Sequence, residues 1–155
     1  MPSYRRARVP GGTFFFTVRC ASRGDAILVD RIDALRTAYR GVAREMPFET
    51  VGIVVLPDHL HAVWRLPGGD TDFSTRWKRI KREFTVWVGE TRTRGMSQAR
   101  KSEAGLWQRR FWERVVRDEA QEAAALRYMW TNPVKHGWCE TPGDWPYSSF
   151  RGVPP

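Results

Sequence analysis

The chain has 155 residues, 41% of them hydrophobic and 28% charged, the balance of a globular protein built as one domain over residues 1–155. No apolar run approaches the ~20 residues of a membrane span, and the basic start, residues 1–10, has no apolar stretch like that of a secretory signal; no membrane partner and a cytoplasmic location are expected. Lys and Arg number 26 against 17 acidic residues, a formal charge of +9, which points to a polyanionic partner, nucleic acid above all.

Residues 12–20 are aromatic and β-branched behind Gly11-Gly12 and predict a strand. Asp30 opens a helical pattern in which Ile32, Leu35, Tyr39 and Val42 recur at helical spacing, and Pro47 bars its continuation. Residues 48–55 and 59–66 predict two more strands. The short turn between them, Leu56-Pro57-Asp58, makes them an antiparallel pair. Residues 73–88 form a helix with an apolar stripe of Phe73, Trp77, Ile80, Phe84 and Trp87, ended by Gly89. Residues 90–105 lose all periodicity and read as a flexible loop. Residues 110–117 predict a fourth strand. Asp118, with Gln121 three residues on, starts a last helix in the manner of a capping box. That helix is expected to stop near Asn132, because Pro133 disfavours helix in the residue before it. Cys20 and Cys139 lack metal or redox spacing and read as two reduced thiols. The first six elements follow a split β-α-β, ferredoxin-like order. This predicts an α+β fold with one antiparallel sheet and helices on one face.

The chemistry centres on four residues. His59 and His61 are two apart on a strand, so their imidazoles share a face. Alone, such a pair also arises by structural coincidence. Tyr128 and Asn132 are four apart on the last helix and lie one turn from each other. Asn132 can offer an amide oxygen as a third ligand. Two imidazoles, one carbonyl oxygen and open positions suit Mg²⁺ or Mn²⁺ rather than a structural zinc ion. A tyrosine beside such an ion is a plausible nucleophile for phosphate. Tyr39 sits on an apolar stripe, Tyr147 in a turn beside Trp145, and Tyr4 has no identifiable partner, so none of these rivals is as well placed.

Arg76, Lys78, Arg79, Lys81 and Arg82 crowd the surface of the helix at 73–88. If they face the same partner as Tyr128, they give a salt-dependent grip on a DNA backbone; the alternative is a solvated face. Arg5, Arg6 and Arg8 are candidates for the same role, Lys135 is a further DNA-binding candidate, and His136 is either a phosphate contact or an ordinary surface residue. Glu113 and Asp118 could assist as bases, although capping accounts for Asp118.

The stretch Pro57-Asp58-His59-Leu60-His61-Ala62-Val63-Trp64 resembles the His-hydrophobic-His motif of HUH nucleases. Tyr128-Met129-Trp130-Thr131-Asn132-Pro133-Val134-Lys135-His136-Gly137-Trp138 resembles the signature of REP-associated tyrosine transposases. The likeness extends in order through Tyr4-Arg5-Arg6, Phe73-Ser74-Thr75-Arg76-Trp77, Trp107-Gln108-Arg109-Arg110-Phe111-Trp112-Glu113 and Asp144-Trp145-Pro146-Tyr147-Ser148-Ser149-Phe150. The resemblance implies that His59, His61 and Asn132 bind the metal and that Tyr128 is the nucleophile. It implies attack on a DNA phosphate, leaving a 5′-phosphotyrosine and a free 3′-hydroxyl. The implied substrate is a repetitive palindrome folded as a single-stranded hairpin, with no small-molecule substrate and with a monomer expected over a dimer. Two other functions fit the same residues. One is a catalytically silent nucleic-acid-binding regulator; the other is a hydrolase that activates water and leaves Tyr128 dispensable.

Overall fold

The computed structural model describes residues 5–89, 105–150 and 152–155. Four strands form one antiparallel sheet: β1 (Thr13–Arg19), β2 (Glu49–Val55), β3 (His59–Arg65) and β4 (Trp112–Val116), in the spatial order β2-β3-β1-β4. The helices are α1 (Ile27–Asp30), α2 (Ile32–Glu45), α3 (Phe73–Val88) and α4 (Glu119–Lys135). The order and pairing are those of the expected ferredoxin-like core. The short α1 is an addition to the expected elements. Most of the expected loop, residues 90–104, and Tyr4 lie outside the described residues.

Alternation along the strands divides the sheet into two unlike faces. Phe14, Phe16 and Val18 of β1 and Leu60, Ala62 and Trp64 of β3 meet α2 and α3 in the larger core. Trp64 is the keystone there. It stacks on Trp77 with ring centroids 4.2 Å apart and on Phe48 at 4.0 Å, and its indole N–H donates to the Tyr39 hydroxyl at 2.8 Å. The opposite face carries Phe15, Val54 and Val63, and α4 lies across it through Ala125, Leu126 and Met129. The expectation of helices on one face therefore holds for the two core helices, while α4 covers the other.

Both ends of α4 are fixed. Asp118 accepts from Gln121 N–H at 2.8 Å, and Gln121 Oε1 reaches back to Arg117 N–H at 2.9 Å, closing the expected reciprocal cap. Arg65 of β3 bridges Glu122 at 2.9 Å and Glu49 at 2.8 Å. The helix does not stop at Asn132, as Pro133 led us to expect. It runs one turn further to Lys135, with Asn132 and Pro133 both buried. Proline in a helix costs about 3 kcal/mol in isolation, and here the burial of the last turn against the sheet offsets it.

The C-terminal segment holds α4 in place. Val55 N–H donates to Tyr147 O at 2.8 Å and Ser149 N–H to Ile53 O at 2.9 Å, so the tail pairs with the last residues of the outer edge of β2 and covers that stretch. Trp145 and Phe150 then pack beside α4. Close approach of α4 depends on Gly52, which sits at a bulge in β2. A Cβ there would meet Leu126 Cδ2 at 2.7 Å and Met129 Cε at 3.0 Å. We expect Gly52→Val to overpack this layer and destabilise the protein by ~1–3 kcal/mol, read as a lowered denaturation midpoint. An unchanged midpoint would mean that α4 rides over the bulge without needing the missing side chain.

Candidate active site

β3 begins with the two histidines, and its register sets them opposite Arg19 and Thr17 of β1. Both imidazoles point to the α4 face and are 4% and 2% exposed. Each Nδ1 has a partner: His59 Nδ1 lies 2.6 Å from Asp58 Oδ1 and His61 Nδ1 lies 2.9 Å from Thr17 Oγ1. With the proton on Nδ1, each Nε2 presents its lone pair away from these supports, the arrangement seen around metal-ligating histidines. Asp58 is itself held by Gly24 N–H at 2.9 Å. Burial alone would raise its carboxyl pKa, but the hydrogen bonds from His59 and Gly24 carry it below its ordinary value.

Along α4, Tyr128 lies against His61 with ring centroids 5.3 Å apart, and His136 lies against His59 at 5.3 Å. Asn132 falls midway, four residues from each, so helical spacing aims it at the gap between the imidazoles. His59 Nε2, His61 Nε2 and both amide atoms of Asn132 are buried without a hydrogen-bond partner among the described residues. Each unpaired buried group costs about 1–3 kcal/mol. Helical spacing brings Asn132 to the side of the two imidazoles, and two imidazoles and an amide oxygen could hold a divalent ion. Among the described residues no three His, Cys, Asp or Glu side chains group to do so by themselves. Tyr128 stands at the rim, 42% exposed, with Lys135 Nζ 5.6 Å from its ring centroid.

Burial drives the His61 pKa down to about 3, assisted by the charges of His59, Arg19 and His136. Burial likewise lowers His59, against the opposing hydrogen bond of Asp58. Both rings therefore stay neutral at pH 7, the state a ligand requires. Below about pH 6.5 the unfolded chain takes up protons that the folded one refuses, so metal-free stability falls with pH until about pH 3. For His61 alone the loss at pH 5 is ~2 kcal/mol. We expect His61→Gln to flatten the stability profile between pH 7 and 5, measured by denaturation in chelator; an unaltered slope would contradict the burial of a neutral ring.

No family model matches the chain. It is 41% identical to the REP-associated tyrosine transposase of Escherichia coli K12, over 97% of this chain and 84% of that one. It is 42% identical to a Haemophilus influenzae protein of the same family name, over 97% and 86% of the two chains. The chain belongs to the REP-associated tyrosine transposases. It is thus a transposase, an enzyme that acts on DNA. A solved structure of a REP-associated tyrosine transposase bound to a REP hairpin superposes with a TM-score of 0.86 at 41% identity, over 97% of this chain and 83% of that one. A crystal structure of a transposase from Deinococcus radiodurans, at 14% identity and a TM-score of 0.53 over 88% of this chain, shares the fold.

In the transposase the four central residues come together, and so do Lys135 and His136. The basic residues of α3 do not join them, because α3 covers the opposite face of the sheet. Arg76 must be withdrawn as a DNA contact. Its guanidinium is 2% exposed and donates to Met46 O, Pro47 O, Asp72 O and Asp70 Oδ2 at 2.7–2.9 Å, so it ties α3 to the end of α2. Arg6 is engaged with Glu113 and Phe111 O, which also removes Glu113 as a base. Arg79 is paired with Glu45 and Glu83. Lys78, Lys81 and Arg82 line a groove of about 580 Å³ beside Trp107 and Arg109; Lys81 donates there to Gln108 O. Arg5 is exposed. Tyr39 and Tyr147 pack on the α2 side, away from the histidines.

Sequence reasoning missed Thr17 and Asp58 as supports of the histidine pair, and Arg19 as a positive charge near it. The alternation of Phe15, Thr17 and Arg19 on β1 was available, but only the pairing register assigns that row to the histidine face.

Proposed function

We propose that this transposase nicks and rejoins the single strand flanking a hairpin-forming repeat, through a covalent bond to Tyr128. The observation that carries the reading is the set of orphaned buried donors on His59, His61 and Asn132 beside an exposed phenol. The solved relative with a REP hairpin supports hairpin DNA as the substrate. We take the functional unit to be a monomer.

His59 and His61 would hold Mg²⁺ or Mn²⁺ through Nε2, and Asn132 through its amide oxygen. When bound, the ion neutralises a phosphate oxygen and stabilises the charge that develops during transfer. Asp58 and Thr17 keep the imidazoles oriented with Nδ1 protonated. The Tyr128 oxygen attacks phosphorus as the bond from phosphorus to the 3′ oxygen breaks. The phenolic proton leaves to water and the departing oxygen takes one up. This gives a 5′-phosphotyrosine and a 3′-hydroxyl, and attack by a 3′-hydroxyl reverses the step and joins strands. Lys135 and Arg19 add positive charge where the phosphate must sit.

The test uses hairpins from repeats flanking the gene, labelled at one end or the other and run on a denaturing gel. A protein-bound band carrying only the 3′ label is expected. Binding without any adduct would favour the silent regulator, and two free fragments would favour water as nucleophile. The α3 groove offers a separate check. Charge reversal at Lys78 and Arg82 is expected to weaken hairpin binding about tenfold and to reduce its salt dependence. Unchanged affinity would leave that surface merely solvated.

A further inference from the structure

β4 forms an edge of the sheet, and its register with β1 sets Trp112 opposite Thr17 and Arg114 opposite Phe15. Opposed residues share a face, so Trp112 and Arg114 stand on the side of His61 and Tyr128. The links are short. Thr17 Oγ1 is 2.9 Å from His61 Nδ1. The Phe15 ring stacks on His61 at 5.4 Å and meets Tyr128 edge-on at 6.0 Å. The Arg114 guanidinium lies 5.4 Å from the centroid of the Phe15 ring. Arg114 is exposed and the Trp112 indole is 66% exposed, whereas their neighbours Glu113 and Val115 turn toward the opposite core. A tryptophan exposed over most of its surface, an arginine two residues on and the Phe15 ring between that arginine and the phenol together suit one occupant, an unpaired stretch of DNA. An indole face stacks only on a base freed from its partner, and the guanidinium suits the phosphate beside it.

We propose that Trp112 and Arg114 are the shelf that holds the single strand next to the scissile phosphate: Trp112 stacks on one unpaired base, and Arg114 holds the backbone so that the strand crosses Phe15 toward Tyr128. This rests on the reading of hairpin DNA as substrate. Affinity is measured in a Tyr128→Phe background, where cleavage does not interfere, by fluorescence anisotropy of a hairpin with single-stranded extensions on both sides. Trp112→Ala is expected to weaken binding about tenfold, the lower part of the range for one stacked base, and Trp112→Phe to restore most of it. An abasic site at one position of an extension is expected to cost the parent protein the same factor and to cost Trp112→Ala nothing further. In the cleaving enzyme Trp112→Ala is expected to raise KM with kcat nearly unchanged. Equal affinities of parent and Trp112→Ala, or an abasic penalty that adds in full to that of Trp112→Ala, would overturn the shelf while leaving the tyrosine chemistry intact. Failure of the parent protein to bind any hairpin would instead overturn the substrate reading on which the shelf depends.

Discussion

Tyr128→Phe is expected to lower covalent adduct formation on hairpin DNA by at least about a thousandfold while changing hairpin affinity by less than about threefold. The substitution removes one oxygen and nothing else. Its ring contacts with His61 and Phe15 are edge-on, at 5.3 and 6.0 Å, and a phenylalanine ring keeps them. The residue is 42% exposed, so little stability is at stake and the fold should survive. A loss of this size with binding retained assigns the chemistry to the oxygen. Substantial cleavage by the variant would return the argument to a metal-activated water.

Asn132→Leu is expected to separate stability from activity in opposite directions. The amide is fully buried and neither of its polar atoms has a partner among the described residues. Replacing it with an apolar side chain removes a desolvation penalty of about 1–3 kcal/mol, less the strain of a slightly larger group. The metal-free variant should therefore be more stable by ~1 kcal/mol. Cleavage should fall at least about a hundredfold, since even outer-shell partners of a metal are worth about ten- to a hundredfold. If stability and cleavage fall together, Asn132 is a packing residue. If neither changes, it belongs to no site.

The readable parts of this protein were those in which one period dominates. The two-residue alternation of β3 predicted a shared face for His59 and His61, and the 3.6-residue stripe of α3 predicted a helix over Phe73–Val88, although Trp87, expected in that stripe, is 60% exposed and Val88 is buried in its place. Local chemistry was also legible, as in the Asp118 and Gln121 cap. What stayed hidden depends on distant partners. Arg76 reads as one of five surface cations, yet its donors go to carbonyls of Met46 and Pro47, thirty and twenty-nine residues away. Pro133 reads as a stop, yet packing on the sheet carries α4 past it. The tail at 147–149 reads as a turn, yet it pairs with the end of β2. Trp112 and Arg114 read as ordinary strand residues until the register with β1 places them beside the histidines.

The measurement that bears most directly on the whole account is peptide mapping of the adduct. The protein is incubated with a flanking-repeat hairpin in Mn²⁺ or Mg²⁺, and in chelator; the product is digested with protease and nuclease, and the modified peptide is identified by mass. A nucleotide remnant on Tyr128 is expected, formed only when metal is present. A remnant on any other side chain, or one that forms equally in chelator, would contradict it.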